Sequence, residues 1–159
     1  MAEALPAMHW LHLLGASVLL GNRIVGAWLF ERLVMPREPV LAARAARALL
    51  GVETLLVAPA VGVQLATGLV LAETGGTPLA TPWLAAALVV FAGAGVVWAP
   101  LLWSTWRMAT TAEQCRRNGE WLPAAFERWL RIRRGAEWCL LAAVVALFWL
   151  MTARPGMVL

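Results

Sequence analysis

Four stretches of the chain, at about 6–34, 48–72, 82–106 and 135–153, are each long and apolar enough to cross a lipid bilayer as a helix. Crossing the hydrocarbon takes roughly 20 mainly apolar residues. Hydrocarbon offers no partner to an unpaired backbone N–H or C=O, so such a segment must satisfy its own backbone as a helix. The second and third stretches are joined only by the turn-forming run Glu73 to Pro78, which makes them neighbours through a short loop. The composition agrees: of 159 residues, 62% are hydrophobic and 14% charged, against about half and a quarter in soluble domains. An ordinary water-soluble domain and a disordered chain are both excluded. No repeat is evident and nothing is left over for a second domain. The reading is all-α, a single four-transmembrane-helix bundle spanning 1–159.

Orientation follows from the arginines. Every basic residue is Arg, and 11 of the 13 lie in or beside two connections: Arg32, Arg37, Arg44 and Arg47 in the first, and Arg107, Arg116, Arg117, Arg128, Arg131, Arg133 and Arg134 in the third. The N-terminal tail carries only Glu3 and the second connection only Glu73. The positive-inside rule then puts both basic connections in the cytoplasm and both termini outside it. Topology and anionic lipid heads account for the basic pI of about 10.9, so nucleic acid is not expected as a partner. The N-terminal apolar run lacks a basic n-region and is too long for a signal peptide, and is expected to stay as the first span. Trp10 and Trp83 fall near the outer interface and Trp28, Trp103, Trp106 and Trp138 near the inner one, as in an aromatic belt. Between the third and fourth spans, from Thr111 to Arg134, Leu122, Phe126, Trp129 and Leu130 recur at helical spacing with charges on the other faces. This predicts an amphipathic helix lying on the cytoplasmic membrane surface, with Pro123 in its first turn.

An ionisable or strongly polar side chain within a span is a functional-site hypothesis by default. On the first helix, His9, His12, Gly15, Leu19, Asn22 and Gly26 follow at spacings of three and four and share a face, with Arg23 at its edge. The second helix runs the other way, placing Glu53 near the inner surface and Gln64 in the outer half. Glu137 enters the fourth helix near the inner surface. An inner cluster of Asn22, Arg23, Glu53 and Glu137 is therefore expected, in which a carboxylate neutralises Arg23. Its role is either structural, fixing helix register, or a path for protons or anions. His9 and His12 are either hydrogen-bonded neutral imidazoles or ligands of a haem or a metal. Two histidines one turn apart on one helix cannot ligate opposite faces of one haem within one chain. That leaves a single axial His, a different second ligand, a homodimer interface, or a metal. Cys115 and Cys139 match no metal-binding spacing and are read as free cytoplasmic thiols. Pro59 and Pro100 are expected to kink or end their helices.

The run His12-Leu-Leu-Gly15-Ala16 followed by Leu20-Gly21-Asn22, the Thr81-Pro-Trp83 opening of the third helix, and Arg128-Trp129 leading through Gly135 to Met151 and Arg154-Pro155 resemble a bacterial family of predicted four-span integral membrane proteins, the DUF2269 type. The resemblance covers nearly the whole chain. More distantly, the His near the start of the first helix, the Glu at the start of the last and the basic-Pro pair near the C-terminus are similar to HemJ-type protoporphyrinogen oxidases and CopD-like membrane proteins. In this chain those positions are His12, Glu137 and Arg154-Pro155. The HemJ likeness implies haem b bound through His12 and an oxidoreductase acting on a tetrapyrrole. The chain lacks that family's Tyr-Leu-Pro-Arg stretch and second first-helix His, and it carries Arg where those proteins have a final Lys.

Three functions follow as alternatives. One is a haem- or metal-binding redox protein using His12 with or without His9. Another is a non-enzymatic accessory subunit of a larger respiratory or photosynthetic membrane complex, or a homo-oligomer, with structural polar residues. The third is a small transporter resting on Arg23, Glu53 and Gln64.

Overall fold

The computed structural model describes residues 4–34 and 37–154. Glu3 and Pro155 lie outside the described residues. Four helices, each long and apolar enough to cross a membrane, make up nearly all of the described chain: α1 (Leu5–Val34), α2 (Pro39–Thr74), α3 (Pro82–Asn118) and α4 (Ala124–Ala153). No strand occurs among the described residues. Pro39 and Pro82 each sit in the first helical turn, where a missing N–H has no cost.

The helices overshoot the apolar runs at the arginine-rich end. At 1.5 Å per residue the 37 residues of α3 extend about 55 Å, well beyond a hydrocarbon layer of about 30 Å. α2 begins nine residues before the apolar run that marks it in the sequence, because residues 39–47 form good amphipathic helix that hydropathy alone does not register.

This overshoot replaces the expected surface helix between the third and fourth spans. α3 continues to Asn118 and stops at Gly119, whose φ of +68° suits glycine, while the Glu120 N–H closes on the Cys115 carbonyl at 2.9 Å. α4 then starts at Ala124, directly after extended Pro123, and runs unbroken to Ala153. Residues 124–134 are thus the first three turns of the last spanning helix. Their apolar stripe faces protein and not lipid: Phe126 and Leu130 are fully buried in a core with Phe30, Val34, Ala42, Ala46, Met108 and Ala112. The alanines of α2 and α3 let those helices approach closely there.

α1 packs along α2 and α3 along α4. The two pairs join chiefly in the basic half, where the first turns of α2 lie against α3. Outward positions are apolar and open, with Leu55, Val89 and Val96 more than two-thirds exposed, as lipid-facing side chains are. Of the belt tryptophans, Trp10, Trp28, Trp103, Trp106 and Trp138 are exposed, and Trp83 is half-buried beneath the Arg154 guanidinium at 5.6 Å.

Candidate functional site

Two helices depart from α-geometry, and both do so at a buried charge. α1 makes a π-helical turn over Asn22–Gly26 and α2 another over Glu53–Val57. The second lies just before Pro59, which has no N–H to offer the carbonyl four residues back, so a widened turn there relieves the ladder. The first moves Arg23 from the edge of the polar stripe into the interior, where it is 3% exposed. Single π-helical turns inside α-helices concentrate at functional positions.

Around these turns the expected inner cluster forms and is larger than anticipated. The Arg23 guanidinium meets the Glu53 carboxylate at 2.5 Å and approaches Glu137 at 3.3 Å. Glu53 also accepts from the Asn22 amide at 3.2 Å and from the Trp98 indole N–H at 2.7 Å. Glu137 is shared with Arg133, one turn earlier on α4, at 3.2 Å, and Arg133 donates to the Thr105 hydroxyl at 3.0 Å. Arg133 also lies 4.5 Å from the centre of the Phe30 ring. Two guanidiniums and two carboxylates, drawn from α1, α2 and α4 and braced by α3, therefore form one network with no net charge. Sequence reasoning missed Arg133, Trp98 and Thr105. Arg133 was absorbed into the count of loop arginines, although its position four residues before Glu137 is the spacing of a helical ion pair.

A second polar layer lies in the other half of the α1–α2 pair. The His12 Nδ1–H donates to the Thr67 hydroxyl oxygen at 2.9 Å, and the Thr67 O–H in turn donates to the Val63 carbonyl at 2.7 Å. That chain fixes the tautomer, so Nε2 carries the lone pair and accepts from the Gln64 amide at 3.0 Å. Glycines make the contact possible. A Cβ on Gly15 would stand 2.6 Å from Gln64 Oε1, and one on Gly68 would stand 3.2 Å from His12 Cε1. Depth alone puts Gln64 in this half, but its pairing with His12 was not foreseen. Eleven residues separate His12 from Arg23 on α1 and Glu53 from Gln64 on α2. The two layers are therefore three turns, about 16 Å, apart.

His9 stands apart from both layers. It is exposed and its Nδ1 bonds the Leu5 carbonyl one turn back, so the structure does not bring the two histidines together. Cys115 is buried and Cys139 exposed, and both are free.

Both nitrogens of His12 are hydrogen-bonded, to Thr67 and to Gln64, with Gly68 packed against the ring and Gly15 against the Gln64 amide. Among the described residues, no group of three or more His, Cys, Asp or Glu is placed to hold a metal ion.

At the basic end, ion pairs tie the helices together at the surface. Arg134 of α4 holds Glu31 of α1, Arg37 pairs with Glu127, and Glu113 of α3 receives Arg47 of α2 at 2.9 Å together with its own neighbours Arg116 and Arg117. Glu113 lies seven residues past the end of the apolar run of α3. Arg116 and Arg117 hydrogen-bond its carboxylate, and with Arg47 they hold it well below the usual carboxylate range.

A family model described as predicted integral membrane protein (DUF2269) matches residues 6–155. No curated protein matches the chain, and no solved structure does.

Proposed function

Since the chain belongs to this family of predicted integral membrane proteins, we propose that it is a multi-pass protein of the bacterial cytoplasmic membrane, with both chain ends outside, that serves as a non-enzymatic subunit of a larger membrane complex. The clustering of arginines at one end of the bundle supports the orientation.

One observation carries the subunit reading: each charge of the network Arg23, Glu53, Glu137 and Arg133 has an opposite charge within 3.3 Å. A centre that handles a substrate or ion keeps charge aimed at the place the ligand will occupy. Here the charges face one another, and about 16 Å along the helices separates them from the His12 layer, so among the described residues no polar file crosses the bundle. What the network does do is hold the helices in one register, because sliding α1, α2 or α4 would leave a charge unpaired in a medium of low dielectric, and sliding α3 would remove the Trp98 and Thr105 hydrogen bonds.

A rigid bundle acts through its outer faces. On α4, Trp138, Leu141, Ala142, Val145, Ala146 and Trp149 line a shallow apolar groove. Trp138 and Trp149 stand at its ends and the two alanines form its floor, four residues apart. Small residues at that spacing let a neighbouring membrane helix come close. The partner assigned to this face is a single transmembrane helix of another subunit.

Extraction of the tagged chain with its surrounding lipid by a styrene–maleic acid copolymer, followed by native mass spectrometry, tests the reading. The expected result is one partner at fixed stoichiometry. It should be lost when Ala142 and Ala146 are both changed to Leu, and retained when the equally lipid-facing Val89 and Val96 of α3 are changed to Leu. A chain that runs alone overturns the proposal. So does a Soret band in the purified protein that disappears in His12→Ala, which would establish the haem reading in its place.

A further inference from the structure

The membrane boundary of α3 and α4 carries a second, independent feature. Trp129 of α4 is enclosed by groups from both helices. Trp103 of α3 meets it edge-on with ring centres 4.6 Å apart. The Arg107 guanidinium of α3 lies 5.4 Å from its ring centre and that of Arg128 of α4 lies 5.7 Å away. Arg107 is also 6.0 Å from the Trp106 ring. The aromatic faces orient both guanidiniums without neutralising them.

No carboxylate among the described residues pairs with them either. Among the described residues, the ion pairs at this end engage other arginines: Glu113 is held by Arg47, Arg116 and Arg117, Glu127 by Arg37, and Glu31 by Arg134. Arg107 and Arg128 are left as two positive charges converging on one indole. Their depth is specific. Arg107 follows directly on the apolar run of α3, and Arg128 precedes that of α4 by two turns, about 10 Å. Both therefore reach the headgroup layer, while Trp103 and Trp106, each half exposed, lie against the acyl region below it.

We propose that Arg107 and Arg128, on the platform of Trp103, Trp106 and Trp129, form a binding site for the phosphate of an anionic phospholipid, whose acyl chains lie along the exposed tryptophans. Guanidiniums bind phosphate oxygens through paired N–H donors, and a lipid with net negative charge balances two arginines where a zwitterionic one does not. The site shares no residue with the buried network and requires no partner subunit.

The full-length chain in detergent is mixed with phosphatidylglycerol or phosphatidylcholine, and bound lipid is counted by native mass spectrometry over a concentration series. Wild type is expected to retain phosphatidylglycerol selectively. Arg107→Gln and Arg128→Gln should each weaken that retention about fivefold, and the double variant by tenfold or more. The control double variant Arg32→Gln with Arg44→Gln removes the same charge elsewhere at the basic end and should leave retention within twofold. Equal losses in the two double variants would reduce the effect to general charge and overturn the site. Competition by millimolar glycerol phosphate as effective as that by the lipid would overturn the lipid assignment in favour of a free phosphate. Melting in phosphatidylcholine monitors folding; if the glutamine double variant melts early there, the single variants decide, and an unchanged phosphatidylglycerol affinity in both refutes the proposal.

Discussion

The Arg23 guanidinium and the Glu53 carboxylate meet at 2.5 Å with 3% and 1% of each residue exposed, and each of the two helices makes its π-helical turn at that level. Removing one partner leaves an uncompensated charge in the bundle, which typically costs about 3–5 kcal/mol. Removing both restores neutrality, because Arg133 and Glu137 remain as a pair. Arg23→Leu and Glu53→Leu are therefore each expected to destabilise strongly, and the double variant to cost clearly less than the sum of the two. Reversible unfolding in mixed micelles titrated with SDS measures this. Additive losses, or an Arg23→Leu protein as stable as wild type, would mean that the pair does not lock the bundle.

Trp98 sets itself apart from the belt tryptophans by donating its indole N–H to Glu53 at 2.7 Å. A hydrogen bond to a charged group contributes about 1.5–3 kcal/mol. Trp98→Phe keeps most of the ring and loses the donor, so it should cost an amount in that range. Trp138→Phe, at a position 71% exposed, should stay within about 0.5 kcal/mol. Thermal melts of both variants in the same detergent compare them directly, and equal shifts would remove Trp98 from the network.

Gly15 and Gly62 lie in neighbouring helices and should respond to alanine with opposite signs. A methyl on Gly15 would press on Gln64 Oε1 at 2.6 Å and push the amide off His12, whereas nothing lies within 4 Å of a Cβ on Gly62. Gly62→Ala should stabilise by about 0.5–1 kcal/mol by restricting the unfolded chain. Gly15→Ala should destabilise and also alter the environment of the His12 ring, visible as a shift of its nitrogen resonances relative to wild type. A Gly15→Ala protein with unchanged His12 resonances would mean that Gln64 is not held there by the glycine.

The four helices were legible because hydrocarbon imposes a length and a polarity on any chain that crosses it. The ends of the helices were not, since residues 39–47 and 124–134 are amphipathic and hydropathy counts them as loop. The stripe of Phe126 and Leu130 was visible as a face, but periodicity alone does not say whether a face meets lipid or protein. Asn22, Arg23, Glu53 and Glu137 could be brought together from depth alone, as polar groups of one leaflet with few partners to choose from. Arg133 could not, because an arginine near the inner interface already had a sufficient explanation in topology, and Trp98, inside the apolar run of the third helix, carried no signal of its own. The π-helical turns left no sequence pattern of their own beyond the proximity of Pro59 to one of them.

Glu113 supplies a test of the overshoot of α3 beyond the membrane. Its carboxylate lies among Arg116, Arg117 and Arg47, which depress its protonation below that of an ordinary glutamate in the unfolded chain. A group depressed on folding contributes stability that is complete above its unfolded pKa and fades as pH falls through its folded one. The difference in melting temperature between wild type and Glu113→Gln should accordingly be constant from about pH 8 to pH 6 and shrink as the medium is made acid, below the usual glutamate range. Because the pairs are open to solvent, the difference should be small and should diminish further in high salt. If Glu113 instead lay within the hydrocarbon, ions could not reach it. Its contribution would then be insensitive to salt at every pH, and the placement of the last turns of α3 outside the bilayer would be wrong.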